Sequence, residues 1–265
     1  MLTRSDQNIV ELYKKIDDSI KYAALIQATL LGDAELLKSY FLQSYAIFQP
    51  KDRVGGDIYL FDTLSKDELL LSVIDCTGHG VSGAFVTLLV KSIQRNLLDR
   101  LSGEVYPHKL LGQFHSEFSS ILQQERTFLD VGFDGTLLYF DRSRSLVRFA
   151  LAKGILLFQR GSELVEYKGD RKSIGYANSD ADFKYTLHEL SVQKGDRFFL
   201  STDGLFDQLG GAKDLPLGKR AIKEILLEYK DEALNDIVEL VLDALGVHQG
   251  SNERSDDVTF VTFEV

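Results

Sequence analysis

Apolar or small residues recur along residues 6–31 at Ile9, Tyr13, Ile16, Ile20, Ala23, Gln27 and Leu30, alternately four and three apart. This is a heptad seam with one polar member, Gln27, and it predicts a long helix. The helix either packs on its own domain or serves as a dimerising or signal-carrying element; three heptads are near the minimum for a coiled coil. After Pro50 the pattern shortens. Apolar runs at 58–61 and 69–74, bounded by turn residues, predict strands. Residues 83–101, with Leu88, Leu89, Ile93, Leu97 and Leu98, predict a buried helix, and 108–124 a second one. Further strands are expected at 135–140, 146–151, 155–159, 164–167, 197–201 and 258–265, and helices at 218–229 and 232–246. Residues 170–184, polar and glycine-containing, predict a loop over a site. Strands come in runs rather than alternating strictly with helices. The expected class is therefore α+β, with antiparallel sheets and helices packed outside them. The organisation expected is a helical segment over 1–40 followed by one domain over 41–265.

Composition narrows the functional classes. The chain has 265 residues, 44% of them hydrophobic, so a substantial core is available and disorder is not expected. Forty acidic against 30 basic side chains give a formal charge of −10, which argues against a nucleic-acid partner. The same excess fits either a soluble acidic surface or a site that gathers carboxylates around hard cations. One cysteine, Cys76, allows no internal disulfide and suits a reducing compartment. No apolar run approaches the ~18 residues of a membrane span, and the polar N-terminus has no signal-peptide character.

The chemistry is concentrated in four segments, each with aspartate at the end of an apolar run or at a turn. They are Val54-Gly55-Gly56-Asp57, Val73-Ile74-Asp75-Cys76-Thr77-Gly78-His79-Gly80, Leu200-Ser201-Thr202-Asp203-Gly204 and Arg254-Ser255-Asp256-Asp257-Val258. An aspartate leaving a strand can enter a cleft, and adjacent glycine lets backbone carbonyls and water approach closely. Each aspartate alone could equally cap its own turn. Four of them could hold two oxygen-seeking cations such as Mg²⁺ or Mn²⁺.

In this order the segments resemble the metal-binding motifs of PPM-type (protein phosphatase 2C-like) serine/threonine phosphatases, in particular the bacterial SpoIIE and RsbU branch. Gly55-Gly56-Asp57 resembles the first motif. Asp75-Cys76-Thr77-Gly78-His79-Gly80 resembles its Asp-x-x-Gly-His-Gly element, and Ser201-Thr202-Asp203-Gly204 and Asp256-Asp257-Val258-Thr259 resemble the last two. The stretch 20–31 resembles the helix that precedes the domain in this branch. The resemblance implies an α-β-β-α sandwich of two mainly antiparallel sheets between helices, with a metal-dependent phosphatase site. Asp57 and Asp75 would be the central, catalytically essential ligands, with Asp57 bridging two ions of Mn²⁺ or Mg²⁺. The Cys76 backbone carbonyl would face a metal, and Asp203 and Asp256 would complete the second position, with Asp257 the alternative to Asp256. Asp134, in Phe133-Asp134-Gly135, is either a further carboxylate or an ordinary turn residue.

The mid-domain Asn-Ala-Gly-His-type segment of the family is replaced by Leu151-Ala152-Lys153-Gly154. Lys153, Lys51 and Arg53 are either phosphate contacts or surface charges, and His79 either donates a proton or hydrogen-bonds its turn. The implied reaction is hydrolysis of phosphoserine or phosphothreonine by a metal-activated water. The implied substrate is a phosphorylated STAS-type antagonist protein in a bacterial partner-switching pathway. The branch is often joined to a sensor or membrane receptor, so a cytoplasmic location is expected, free or as a receptor's cytoplasmic domain. The seam fits a homodimer through the N-terminal helix. Competing classes are a non-catalytic metal-binding or interaction domain descended from a phosphatase, and a phosphohydrolase for small esters or nucleotides. No P-loop pattern supports the latter.

Overall fold

A computed structural model describes residues 4–123, 129–176 and 182–265, with side chains from residue 7. The chain opens with helix α1 (Arg4–Ala28), a short helix α2 (Ala34–Leu37) and strand β1 (Gln43–Gln49). Then follow β2 (Asp57–Thr63), β3 (Glu68–Cys76), α3 (Gly80–Asp99), α4 (Pro107–Leu122), β4 (Phe133–Asp141), β5 (Leu146–Ala152), β6 (Ile155–Arg160) and β7 (Glu163–Lys168). The C-terminal third contains β8 (His188–Ser191), β9 (Arg197–Ser201), α5 (Gly204–Asp207), the two-residue strands β10 (Leu209–Gly210) and β11 (Leu215–Pro216), α6 (Gly218–Glu228), α7 (Leu234–Gln249) and β12 (Val258–Glu264).

Two five-stranded antiparallel sheets form, in the orders β2-β3-β4-β5-β8 and β1-β12-β9-β6-β7. Side chains alternate across each strand, so every strand feeds two cores. In β2 and β3, Ile58, Leu60, Leu70 and Ile74 turn outward to pack under α3 and α4 with Val90, Ile93, Phe114 and Phe118. Tyr59, Phe61, Leu69, Leu71 and Val73 turn inward and meet Leu156, Phe158, Phe198, Leu200, Val261 and Phe263 of the second sheet. The outer face of that sheet packs Leu157, Phe199 and Phe260 against α5, α6 and α7 through Ile222, Leu226, Ile237 and Val241. This is the α-β-β-α layering expected, and the predicted strands and principal helices are present.

The differences have local causes. α3 begins at Gly80, three residues earlier than predicted, because Gly78 and Gly80, at φ of +88° and +61°, turn the chain directly into the helix. β1 carries no clean alternation, since only Ser44 of its seven residues is buried, yet it pairs fully with β12 over Gln43–Gln49. In the expected loop over 170–184, Ile174 pairs with Phe133 through two backbone hydrogen bonds of 2.9 Å. Residues 177–181 of that loop, and residue 124 of the second predicted helix, lie outside the described residues.

α1 presents most of its seam to solvent: Ile9, Tyr13 and Ile16 are 50%, 70% and 49% exposed. α2 differs, because Leu37 and the following Tyr40 and Phe41 are buried in the inter-sheet core. Among the described residues, no helix is long and apolar enough to cross a membrane.

Candidate metal centre

The inter-sheet face ends in carboxylates. In the register of β2, β3 and β4, Asp57 lies opposite Asp75, and Asp75 opposite Asp134. Side chains directly opposite share one face, so these three aspartates are followed along the same face by the row Tyr59, Val73 and Thr136. Across the gap, Thr202, Asp203 and Asp256 come from the chain leaving β9 and entering β12. Asp75, Asp134, Lys153, Thr202 and Asp203 line one side of the resulting cleft. Asp75, Cys76, Thr77, His79, Asp134, Tyr176 and Asp256 line an adjoining cavity of ≈ 340 Å³.

Close backbone packing fixes this end. A Cβ on Gly56 would lie 2.2 Å from the Gly78 carbonyl oxygen and 2.8 Å from that of Cys76. Only glycine lets the Asp57 and Asp75 loops approach this closely. The Cys76 N–H donates to the Gly56 carbonyl at 2.9 Å. The Cys76 thiol packs on the opposite face, in the core beneath α3, where burial holds its pKa well above the usual value. It is an inert protonated thiol, and only the residue's backbone can serve the cleft.

Asp256 and Asp257 are adjacent but have different partners. Asp257 is buried and its carboxylate accepts the N–H groups of Lys51 (2.7 Å) and Gly56 (2.6 Å). Asp256 is exposed and accepts the Asp257 N–H at 2.8 Å. Asp203 heads α5, but its side chain makes no capping hydrogen bond.

Electrostatics set these carboxylates apart from ordinary surface acids. Asp57 is 1% exposed. Burial pushes its pKa up to about 8, with Asp257 and Asp256 adding to the rise and hydrogen bonds from Thr202 and Thr259 opposing it. Asp75 is pushed up to about 9 by burial and then by the charges of Asp57, Asp203, Asp256 and Asp134. Asp203 is raised too, by burial, Asp207 and Asp256. Among the described residues Asp57, Asp75, Asp203 and Asp256 have no ion pair with Lys, Arg or His, whereas Lys153 Nζ lies 3.6 Å from Asp134 Oδ2. The other oxygen of Asp134 is buried without a hydrogen-bond partner.

Gathered acids whose ionised forms are disfavoured are an all-oxygen donor set that a divalent cation would satisfy. Among the described residues no three His, Cys, Asp or Glu side chains form a ready-made cage. An open arrangement is compatible with Mg²⁺-like ions, which keep several waters and use few protein carboxylates. The residues present therefore fit the metals the family implies.

The remaining predicted residues divide. Lys153 lines the cleft, with its backbone held in the left-handed region at φ 51° by a hydrogen bond to the Asp170 carbonyl of 2.9 Å. Arg53 is instead paired with Asp17 of α1, its Nε 2.8 Å from the carboxylate. His79 sits at the rim, its Nδ1 3.2 Å from Asp52 Oδ2. Lys51 uses its backbone N–H on Asp257. Sequence reasoning did not single out Thr202, which donates to Asp57 Oδ2 at 2.7 Å and accepts the Thr259 N–H at 3.0 Å. Nor did it find Tyr176, whose hydroxyl accepts from Thr77 at 2.6 Å.

The fold and the acidic cleft together define a PP2C-type phosphatase domain, a metal-dependent serine/threonine class. The family model described as stage II sporulation protein E (SpoIIE) matches residues 65–265, and the chain belongs to that family. The SiaA-PP2C domain of Pseudomonas aeruginosa is 33% identical, with a TM-score of 0.85 over 96% of this chain and 98% of that one. Phosphoserine phosphatase RsbP of Bacillus subtilis (strain 168) is 20% identical over 263 residues, 93% of this chain; the chain spans 57% of that protein's length. The PP2C phosphatase domain of SpoIIE from Bacillus subtilis, solved with a fragment of its regulatory domain, is 19% identical. Its TM-score is 0.65, covering 84% of this chain and 63% of that one, a likeness of fold.

Proposed function

We propose that the chain hydrolyses phosphoserine or phosphothreonine monoesters on a partner protein at the end of the inter-sheet face. The observation that carries this reading is the register of Asp57, Asp75 and Asp134 on three adjacent strands. The ligands would be Asp57, Asp75, Asp203, Asp256 and the Cys76 carbonyl, for two ions of Mn²⁺ or Mg²⁺. Bound, such ions make water a stronger acid and offset charge on a phosphoryl group. The protein's own part is positioning. The Thr202 hydroxyl occupies one oxygen of Asp57 and so fixes the direction of the other. Asp257, committed to the Lys51 and Gly56 amides, holds the loop that delivers Asp57. The Lys153 ammonium, 3.6 Å from Asp134 among the residues lining the cleft, would contact a phosphoryl oxygen. The buried thiol of Cys76 takes no part as nucleophile.

The substrate would be a phosphorylated STAS-type antagonist in a partner-switching pathway, with the chain working in the cytoplasm, alone or as a receptor's cytoplasmic part. Residues 1–40 would carry the signal and 41–265 the chemistry. The exposed seam through Ile9, Tyr13 and Ile16 fits a second copy of this helix. Ile16→Asp with Ile20→Asp should convert a dimer to a monomer in sedimentation; unchanged mass would remove that role.

Incubating the chain with a phosphoserine protein or a nucleotide, in Mn²⁺, Mg²⁺ or EDTA, tests the function. Metal-dependent phosphate release from the protein but not the nucleotide is expected. Release that persists in EDTA, or confined to the nucleotide, would overturn the reading.

A further inference from the structure

We infer that Gln27, on the N-terminal helix α1, is a positioning residue for the loop that carries Asp57. The inference rests on the metal-site reading above. Among the described side chains of α1, Gln27 alone is buried, at 3% exposure. As a polar residue on a heptad seam it would ordinarily face a partner helix. It turns instead into the domain. Its Nε2 donates to the Gly55 carbonyl at 2.7 Å and to the Thr87 hydroxyl at 3.2 Å, and its Oε1 accepts the Gly55 N–H at 3.0 Å.

Buried backbone groups need partners, and here every one can be named. Gln27 satisfies the N–H and carbonyl of Gly55. Asp257 accepts the Gly56 N–H, and the Cys76 N–H donates to the Gly56 carbonyl. A Cβ on Gly55 would lie 2.7 Å from the Asp257 carboxylate, so the loop is pressed between Gln27 on one side and Asp257 on the other. The two glycines immediately before Asp57 are thus held from three places: the Asp75 motif, the Asp256-Asp257 motif and α1. Two of these are themselves metal motifs; the third lies outside the 41–265 unit. Thr87, the other partner of Gln27, lies on α3, the helix that follows the Asp75 motif. One carboxamide therefore ties α1 to the loop before Asp57 and to the helix that follows the Asp75 motif. The Asp17–Arg53 pair, at 2.8 Å, is a second link between α1 and the same loop.

Outer partners of metal ligands, when removed, typically weaken metal binding or activity by about 10- to 100-fold. Mn²⁺ alone is the probe, titrated calorimetrically into the full chain. Gln27→Met keeps the side chain's length and removes all three hydrogen bonds. Gln27 acts one step further out, through the Gly55 backbone, so the expected result is Mn²⁺ affinity weaker by about tenfold, the lower end of that range, at a temperature where the variant is folded by circular dichroism. Phosphate release from p-nitrophenyl phosphate should recover as Mn²⁺ is raised. A merely structural role would lower the melting temperature and leave the Mn²⁺ requirement unchanged, and that result overturns the proposal.

If Gln27→Met does not fold, amide exchange on the unmodified chain decides, because coupling between two sites is reciprocal. Mn²⁺ should slow exchange over 52–57 and in the last turns of α1 together; slowing confined to 52–57 overturns the inference. A wild-type chain that binds no Mn²⁺ removes the metal site and this inference together. One that binds Mn²⁺ Gln27-dependently but releases no phosphate removes only the phosphatase reading.

Discussion

Two ends of one sheet face follow the same register and do opposite things. At one end Leu71, Leu138, Phe140 and Val147 meet Phe198, Val261 and Phe263 in a closed apolar core, with Phe41 4.0 Å from Phe263 between ring centroids. At the other end the same rows finish in Asp57, Asp75 and Asp134. The apolar end stabilises the sandwich by burial and dispersion. The acidic end gathers like charges in a poorly solvated cleft and weakens the metal-free fold. The lesson is that one pattern of alternation builds both parts, and that the stabilising half supports the strain of the functional half.

Separate variants at the two ends should separate stability from metal chemistry. The largest expected effect is at the apolar end. Phe263→Ala removes a fully buried ring and should cost about 3–5 kcal/mol in denaturant unfolding. The Mn²⁺ affinity of the molecules that remain folded should be unchanged. At the acidic end, Asp75→Ala should reverse the pattern: metal-dependent phosphate release falls by more than about 100-fold, beyond the usual loss for an outer partner. Circular dichroism should show the fold retained.

The pH dependence sharpens the contrast. Burial, and then the charge of Asp57, push Asp75 in the metal-free fold up to about 9 from an ordinary 3.8. The folded state therefore binds the extra proton between those values, and stability declines as pH rises through that window. In EDTA, wild type and Asp75→Asn should melt with a constant offset below pH 4. Wild type should then lose ground to the variant steadily up to about pH 9. A constant offset throughout would contradict the burial of that charge. The smallest expected effect concerns the neighbouring aspartates. Asp257→Asn disturbs two backbone anchors and should cost about 1–3 kcal/mol in EDTA. Asp256→Asn should raise metal-free melting slightly at neutral pH, by removing a charge that opposes ionisation of Asp57, Asp75 and Asp203, and weaken Mn²⁺ binding.

Much of this was legible in the chain because alternation and strand ends are local properties. The apolar runs before Asp75 and Asp203 announce strands that deliver a carboxylate, and the glycines beside Asp57 and Asp75 announce close backbone approach. What was not legible depends on distant partners. Thr202 reaches Asp57 across 145 residues; its segment was marked by Asp203, but nothing local shows that the neighbouring hydroxyl is aimed at Asp57. Gln27 sits on a seam whose spacing points to a partner helix, while its hydrogen bonds lie 28 and 60 residues away. β1 is set by pairing with β12 and not by its own pattern. Arg53 read as either a phosphate contact or a surface charge because α1 and the loop before Asp57 are far apart in sequence; it is a surface charge paired with Asp17.

The most direct test is a crystal of the chain in saturating Mn²⁺, measured at the manganese absorption edge. The account predicts two anomalous peaks in the cleft, both in contact with Asp57 and at least one with Asp75. No peak there, or peaks that touch neither aspartate, would contradict it.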